Sequence, residues 1–164
     1  MRKILISMLF IVLTGACLFS PFSLSAADNT KKDLSNGQLI YVPAYSHIYS
    51  GNKEMPFLLT VTLSIRNIDP DHPIRIIQVD YYETQGKLLK KFIDKTITLN
   101  PLGSLRYVIP ENDKSGGSGA NFMVKWQSDR LVNPPIVEAI MIGTKSQQGV
   151  SFTSRGREVF ASDQ

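Results

Sequence analysis

Ser115-Gly116-Gly117-Ser118-Gly119-Ala120-Asn121 places three glycines within four positions. Glycine lets successive backbone amides turn toward one point, so such a run can form a nest for a small anion or carboxylate. A phosphate-binding loop would need Lys-Ser/Thr after the last glycine and a helix behind it. Here Ala120-Asn121 follows, and then strand-like alternation, so the nucleotide reading fails. Near the other end of the chain Arg155 and Arg157 flank Gly156. An arginine fork suits carboxylate or phosphate ligands. The expected binding site is therefore Gly116, Gly117, Gly119, Asn121 and Arg155, provided that the loop and the arginine share one end of the fold. The ordinary alternatives are a plain flexible loop and two surface arginines at a chain end.

Other chemistry is sparse. Ser151, Thr153 and Ser154 offer hydroxyls, but nucleophilic catalysis needs a base in contact with the nucleophile. The two histidines are His47, among Tyr45 and Tyr49, and His72, between Asp71 and Pro73. The first reads as a packing residue and the second as a solvated loop residue. Asp69, Asp71 and Asp80 could supply oxygen ligands to Ca²⁺, yet their spacing departs from the EF-hand loop and aspartates are ordinary in turns. No catalytic set, metal or cofactor is assigned from these residues. Tyr41, Tyr45 and Tyr49 could line a partner surface or enter the core. Lys87, Lys90, Lys91 and Lys95 read as a solvated strand edge guarded by lysines.

The chain has 164 residues, 18 Lys and Arg and 14 Asp and Glu, for a formal charge of +4. Arg2 and Lys3, the apolar run from Ile4 to Phe19, and Ser25-Ala26-Ala27 form the pattern of a secretory signal peptide. A cut after Ala27 leaves 137 residues with 16 basic and 14 acidic side chains, too weak an excess to point to nucleic acid. Cys17 is the single cysteine, so the mature chain would fold without a disulfide. Leu13-Thr14-Gly15-Ala16-Cys17 also resembles a lipoprotein cleavage site, with Thr14 where that pattern has Leu and apolar Leu18 and Phe19 after the cysteine. A lipid on Cys17 and an uncleaved anchor are the alternatives to a plain signal.

The elements that must position these residues are strands. From Phe57 to Asn67, Leu59, Val61, Leu63 and Ile65 alternate with Thr60, Thr62, Ser64 and Arg66. A two-residue period puts the first set on a dry face and the second on a wet one. The sequence further predicts strands at 39–42, 45–49, 74–83, 88–93, 96–99, 104–109, 121–127, 136–142 and 150–153. A β-bulge between Ile76 and Ile77 would reconcile a phase shift, and Gly86 would turn a hairpin. Phe122, Val124 and Trp126 should point inward, with Trp126 as core anchor. The stretch 136–142 is apolar enough to predict burial on both faces. Short strands between Gly/Pro turns, with no helical spacing after the signal, predict an antiparallel immunoglobulin-like β-sandwich, with a small β-barrel as the alternative. The expected organisation is a signal helix over 1–27, a flexible leader over 28–38, one sandwich domain over 39–160 and a tail over 161–164.

Tyr41-Val42-Pro43-Ala44-Tyr45-Ser46, Leu63-Ser64-Ile65-Arg66-Asn67, Val79-Asp80-Tyr81-Tyr82, the run Ser115 to Phe122, and Gly149-Val150-Ser151-Phe152-Thr153-Ser154-Arg155-Gly156 carry a resemblance over Tyr41 to Arg157. The chain resembles the bacterial domain-of-unknown-function family 3124. The resemblance implies an exported single-domain protein, periplasmic or secreted, and brings no functional residues with it. The expected role is a non-enzymatic module binding a protein, peptide or envelope polymer. It touches a membrane only through the signal segment or a lipid. The alternative is an enzyme or a metal-dependent carbohydrate-binding module.

Overall fold

The computed structural model describes residues 34–49, 54–145 and 148–160. The expected signal segment with Cys17, the leader up to 33, the turn at 50–53 and the tail at 161–164 lie outside the described residues.

Twelve antiparallel strands make up the described chain: β1 (Ser35–Pro43), β2 (His47–Tyr49), β3 (Pro56–Leu58), β4 (Thr60–Arg66), β5 (Ile74–Tyr82), β6 (Leu88–Lys91), β7 (Ile97–Leu99), β8 (Ser104–Ile109), β9 (Asn121–Val132), β10 (Ile136–Lys145), β11 (Gln148–Arg155) and β12 (Arg157–Glu158). One sheet runs β12-β1-β9-β5-β6, with β7 also on β5. The second runs β11-β10-β4-β8, and β2 and β3 form a separate ribbon. The sheets are open, and their inner faces share one core, so the fold is the expected antiparallel sandwich and not a barrel. Val61, Leu63 and Ile65 from one sheet and Val42, Val79, Phe122, Val124 and Trp126 from the other are fully buried. Trp126 anchors this layer and donates its indole N–H to Gln38 Oε1 at 3.2 Å.

Several local expectations hold. The register between β5 and β9 shifts between Ile76 and Gln78, which is the bulge at Ile77. Gly86, with φ 84°, turns the hairpin from β5 into β6; only glycine takes that conformation without strain. Others are corrected. The strand expected from Phe57 to Asn67 is broken at Leu59, whose N–H donates to the Ser46 carbonyl at 2.9 Å while β3 pairs with β2. The first strand begins at Ser35, inside the expected leader, because β9 extends to Val132 and pairs with it. The stretch 136–142 is not buried on both faces. Val137, Ala139 and Met141 are buried, while Ile136 and Ile142 are 43% and 50% exposed.

Candidate functional site

The glycine loop is built into a crossing between strands. Gly116 is buried against the ring of Tyr81, where a Cβ would fall on the phenol oxygen and 2.7 Å from Cζ. Its carbonyl accepts from Thr84 N–H and from Thr84 Oγ1, each at 3.0 Å. The Gly117 carbonyl accepts from Ser46 N–H and Ser46 Oγ, each at 3.0 Å. Gly117 has φ 78°. The Gly119 amide donates to Thr84 Oγ1 at 3.1 Å, and the Gly117 amide to the Lys114 carbonyl at 3.2 Å. Asn121 opens β9 opposite Pro43 and Tyr82. The structure thus gathers Gly116, Gly117, Gly119 and Asn121 with Ser46, Tyr81 and Thr84, and the amides of Gly117 and Gly119 serve this crossing. Tyr81 is 1% exposed, its hydroxyl has no hydrogen-bond partner among the described residues, and burial pushes its pKa upward.

Arg155 is not part of that group. It lies opposite Glu138 on β10, which lies opposite Ser64 on β4. The loop meets β4 at its Leu59 end through Ser46, whereas Ser64 is near the Asn67 end.

That far end is tied by Asn67 and Asp69, both buried. Asp69 Oδ1 accepts from the N–H groups of Asp71 and His72, and Oδ2 accepts from Asn133 N–H and Nδ2, at 2.9–3.0 Å. His72 Nδ1 is 3.1 Å from Oδ1. Asn67 Nδ2 reaches the carbonyls of His72 and Asn100 at 2.9 and 3.0 Å. One carboxylate and one amide therefore hold the turns after β4, β7 and β9 together. The Asn133 amide, followed by the other donors, keeps the Asp69 carboxyl well below the usual carboxylate range. A group with a depressed folded pKa adds stability above its unfolded value, about 3.9, and that stability is lost as pH falls toward the folded value. Asp69→Asn should lower the melting temperature at neutral pH. The gap to the wild type should narrow between about pH 5 and about pH 2. A gap constant across thermal melts in that window would contradict this.

The histidines are engaged elsewhere than with the candidate nucleophiles. His47 Nε2 meets the Tyr49 hydroxyl at 3.2 Å and His72 meets Asp69. Neither is hydrogen-bonded to Ser151, Thr153 or Ser154. His72 is half-buried, with its ring nitrogen at Asp69, and so is not the freely solvated loop residue expected. The three tyrosines are not gathered on one surface. Tyr45 packs edge-on against Phe152 with ring centroids 5.7 Å apart, Tyr49 does so against His47 at 5.3 Å, and Tyr41 faces outward opposite Met123. Asp80 is buried on β5 and accepts from Gln78 Nε2 at 2.8 Å, whereas Asp69 and Asp71 lie in the loop between β4 and β5, and among the described residues the three form no common cluster. Lys90 and Lys91 lie exposed on β6, the last strand of its sheet, as a guarded edge requires.

The arrangement with most chemistry is the outer face of the four-stranded sheet. Antiparallel partners point to the same side, so register gives the rows directly. Arg155, Glu138, Ser64 and Arg106 form one row across all four strands. Ile136, Arg66 and Ser104 form the next, and Thr153, Ile140, Thr62 and Val108 the row on the other side. Arg66 Nε donates to Ser64 Oγ at 3.1 Å. Two grooves share Arg66. One, of about 380 Å³, also takes in Glu138 and Arg155. The other, of about 280 Å³, takes in Thr62, Ser64, Ser104 and Arg106. Arg75 shows what a satisfied arginine looks like here, with both nitrogens on Asp129 at 2.6 and 2.8 Å. Among the described residues Arg66, Arg106 and Arg155 have no such carboxylate. Sequence reading found Arg155 but missed Arg66 and Arg106 as its companions. The outward alternation of Thr62, Ser64 and Arg66 was a signal for one of them.

Among curated proteins none matches the chain. A solved structure described as "Crystal Structure of Thermotoga maritima 1070" is similar to it at 13% identity and a TM-score of 0.44, covering 76% of this chain and 95% of that one. The family described as "Protein of unknown function (DUF3124)" matches residues 37–159, from within β1 through β12, and the chain belongs to that family.

Proposed function

We propose that the protein is an exported, non-enzymatic binding module of the cell envelope, working through the outer face of its four-stranded sheet. The observation that carries this reading is the set of three exposed guanidiniums, Arg66, Arg106 and Arg155, on one sheet face without carboxylate partners among the described residues. Arginine is the side chain suited to recognising planar anions, and keeping three unpaired on one surface has no benefit for the sandwich core. The signal-like segment from Arg2 to Ala27 supports export to the periplasm or medium, with a lipid on Cys17 as the other route to the envelope.

Capture from an envelope extract tests the reading. Wild type should retain a partner that Arg155→Ala and Arg106→Ala lose, while Arg157→Ala, on the other sheet, keeps it. Equal capture by all four would overturn the assignment of the face. The intact mass of the exported form should correspond to a chain beginning at Asp28, and a chain beginning at Cys17 with added acyl mass would replace the plain signal by a lipid anchor.

A further inference from the structure

We infer that the ligand of this face is an acidic glycan whose carboxylates are separated by neutral, hydroxyl-bearing sugars. The inference rests on the binding-module reading and names its ligand class.

The argument starts from the order of charges along one row. From β11 to β8 it reads Arg155, Glu138, Ser64, Arg106: cation, anion, a buried hydroxyl that accepts from Arg66, cation. Strands lie about 4.8 Å apart, so the two arginine backbones are separated by three intervals, about 14 Å. A ligand complementary to this order carries an anion at each end and hydroxyl donors between. Glu138 decides the class. It lines the same groove as Arg66 and Arg155, yet is outside ion-pair distance of either, and its carboxylate is free to accept from a ligand. A polymer with charge at every unit would meet repulsion there. A sugar hydroxyl would instead be a donor to it.

The neighbours of the row agree. Ser104 and Thr62 add hydroxyls within the second groove, and Ser64 already accepts from Arg66, which fixes that guanidinium beside the row. The other outward side chains of these three rows are neutral: Thr153, Ile140, Val108 and Ile136. The isoleucines can carry the apolar faces of sugar rings. An extended peptide would add to the backbone of an edge strand, β8 or β11, and would not need the order of side chains across the face. A nucleic acid or an anionic membrane calls for a continuous positive field, which Glu138 interrupts.

The test uses hyaluronan oligosaccharides, with a uronate at every second sugar, against the folded domain at physiological salt. Poly-glutamate, phosphatidylglycerol vesicles and dextran are the comparison ligands. Hyaluronan should bind, and Arg106→Ala and Arg155→Ala should each weaken it about tenfold, a loss of about 1.4 kcal/mol. Poly-glutamate should bind more weakly to wild type, and Glu138→Gln should raise its affinity without raising that of hyaluronan. Circular dichroism and melting temperature confirm that each variant is folded. Equal binding of poly-glutamate and hyaluronan, stronger binding of vesicles, binding of dextran at the same strength, or hyaluronan binding that survives both arginine substitutions would each overturn the glycan assignment. Capture from extract that still depends on Arg106 and Arg155 would then leave the binding-module reading standing alone, and loss of that dependence would remove both.

Discussion

Gly116→Ala is expected to destabilise the domain by about 1–3 kcal/mol, as an overpacked core does. The added methyl would fall on the Tyr81 hydroxyl, 2.7 Å from its Cζ and 2.8 Å from the Ala120 Cβ. Tyr81 has little freedom to yield. It is 1% exposed and tilted onto Phe122 with ring centroids 4.8 Å apart. The loop would lift instead, straining the bonds from Thr84 to the Gly116 carbonyl and from Ser46 to the Gly117 carbonyl. The companion experiment is Tyr81→Phe. That buried hydroxyl has no hydrogen-bond partner among the described residues, so removing it should leave stability unchanged or slightly raised. In the Gly116→Ala background the same change takes away the nearest clash. The double mutant should therefore be more stable than additivity predicts, by about 0.5–3 kcal/mol. Urea titrations of the four proteins give the coupling directly, and a value near zero would mean that the glycine is not there for the tyrosine.

This result bears on the loop as a ligand site. The three glycines were legible in the sequence as an unusual run, and so was their capacity to turn amides toward one point. Their use was not legible, because it depends on Ser46 and Thr84, which are far away in the chain and near only in the fold. Asp69 shows the same gap. Its turn chemistry can be read from Asn67-Ile68-Asp69-Pro70-Asp71. That two of its donors come from Asn133, 64 residues away, cannot.

Strand faces were legible wherever a period of two was unbroken, as from Val61 to Arg66, and wherever a phase slip left a mark, as at Ile77. Apolar content misled where it was mistaken for burial. Ile136 and Ile142 belong to an exposed face and only resemble core. That Arg155, Arg66 and Arg106 share one surface could not be read from the sequence. Arg106, Ser64, Glu138 and Arg155 come from four strands, β8, β4, β10 and β11, that are neighbours in the sheet in that order but not in the chain, and only the pairing registers set them side by side.

Leu63→Ala should destabilise the fold by about 2–5 kcal/mol, the loss for a core leucine that leaves a cavity. Leu63 is fully buried, flanked on the inner face by Ala139 and Tyr107 across its two neighbouring strands. Ala139 is too small to fill the space left, so the site has little means to collapse. Thr62, one residue earlier, faces outward between Ile140 and Val108. Thr62→Ala should lower stability by well under about 1 kcal/mol, the range for a half-exposed strand position. The pair tests more than packing. Adjacent residues of one strand are assigned to opposite faces, and the arginine row takes its direction from the same assignment, because Ser64 and Arg66 continue the Thr62 side. Denaturant midpoints that fall equally for the two variants would place Leu63 and Thr62 in similar surroundings. The outer face would then lose its register, and Arg66, Arg106 and Arg155 would no longer share a surface.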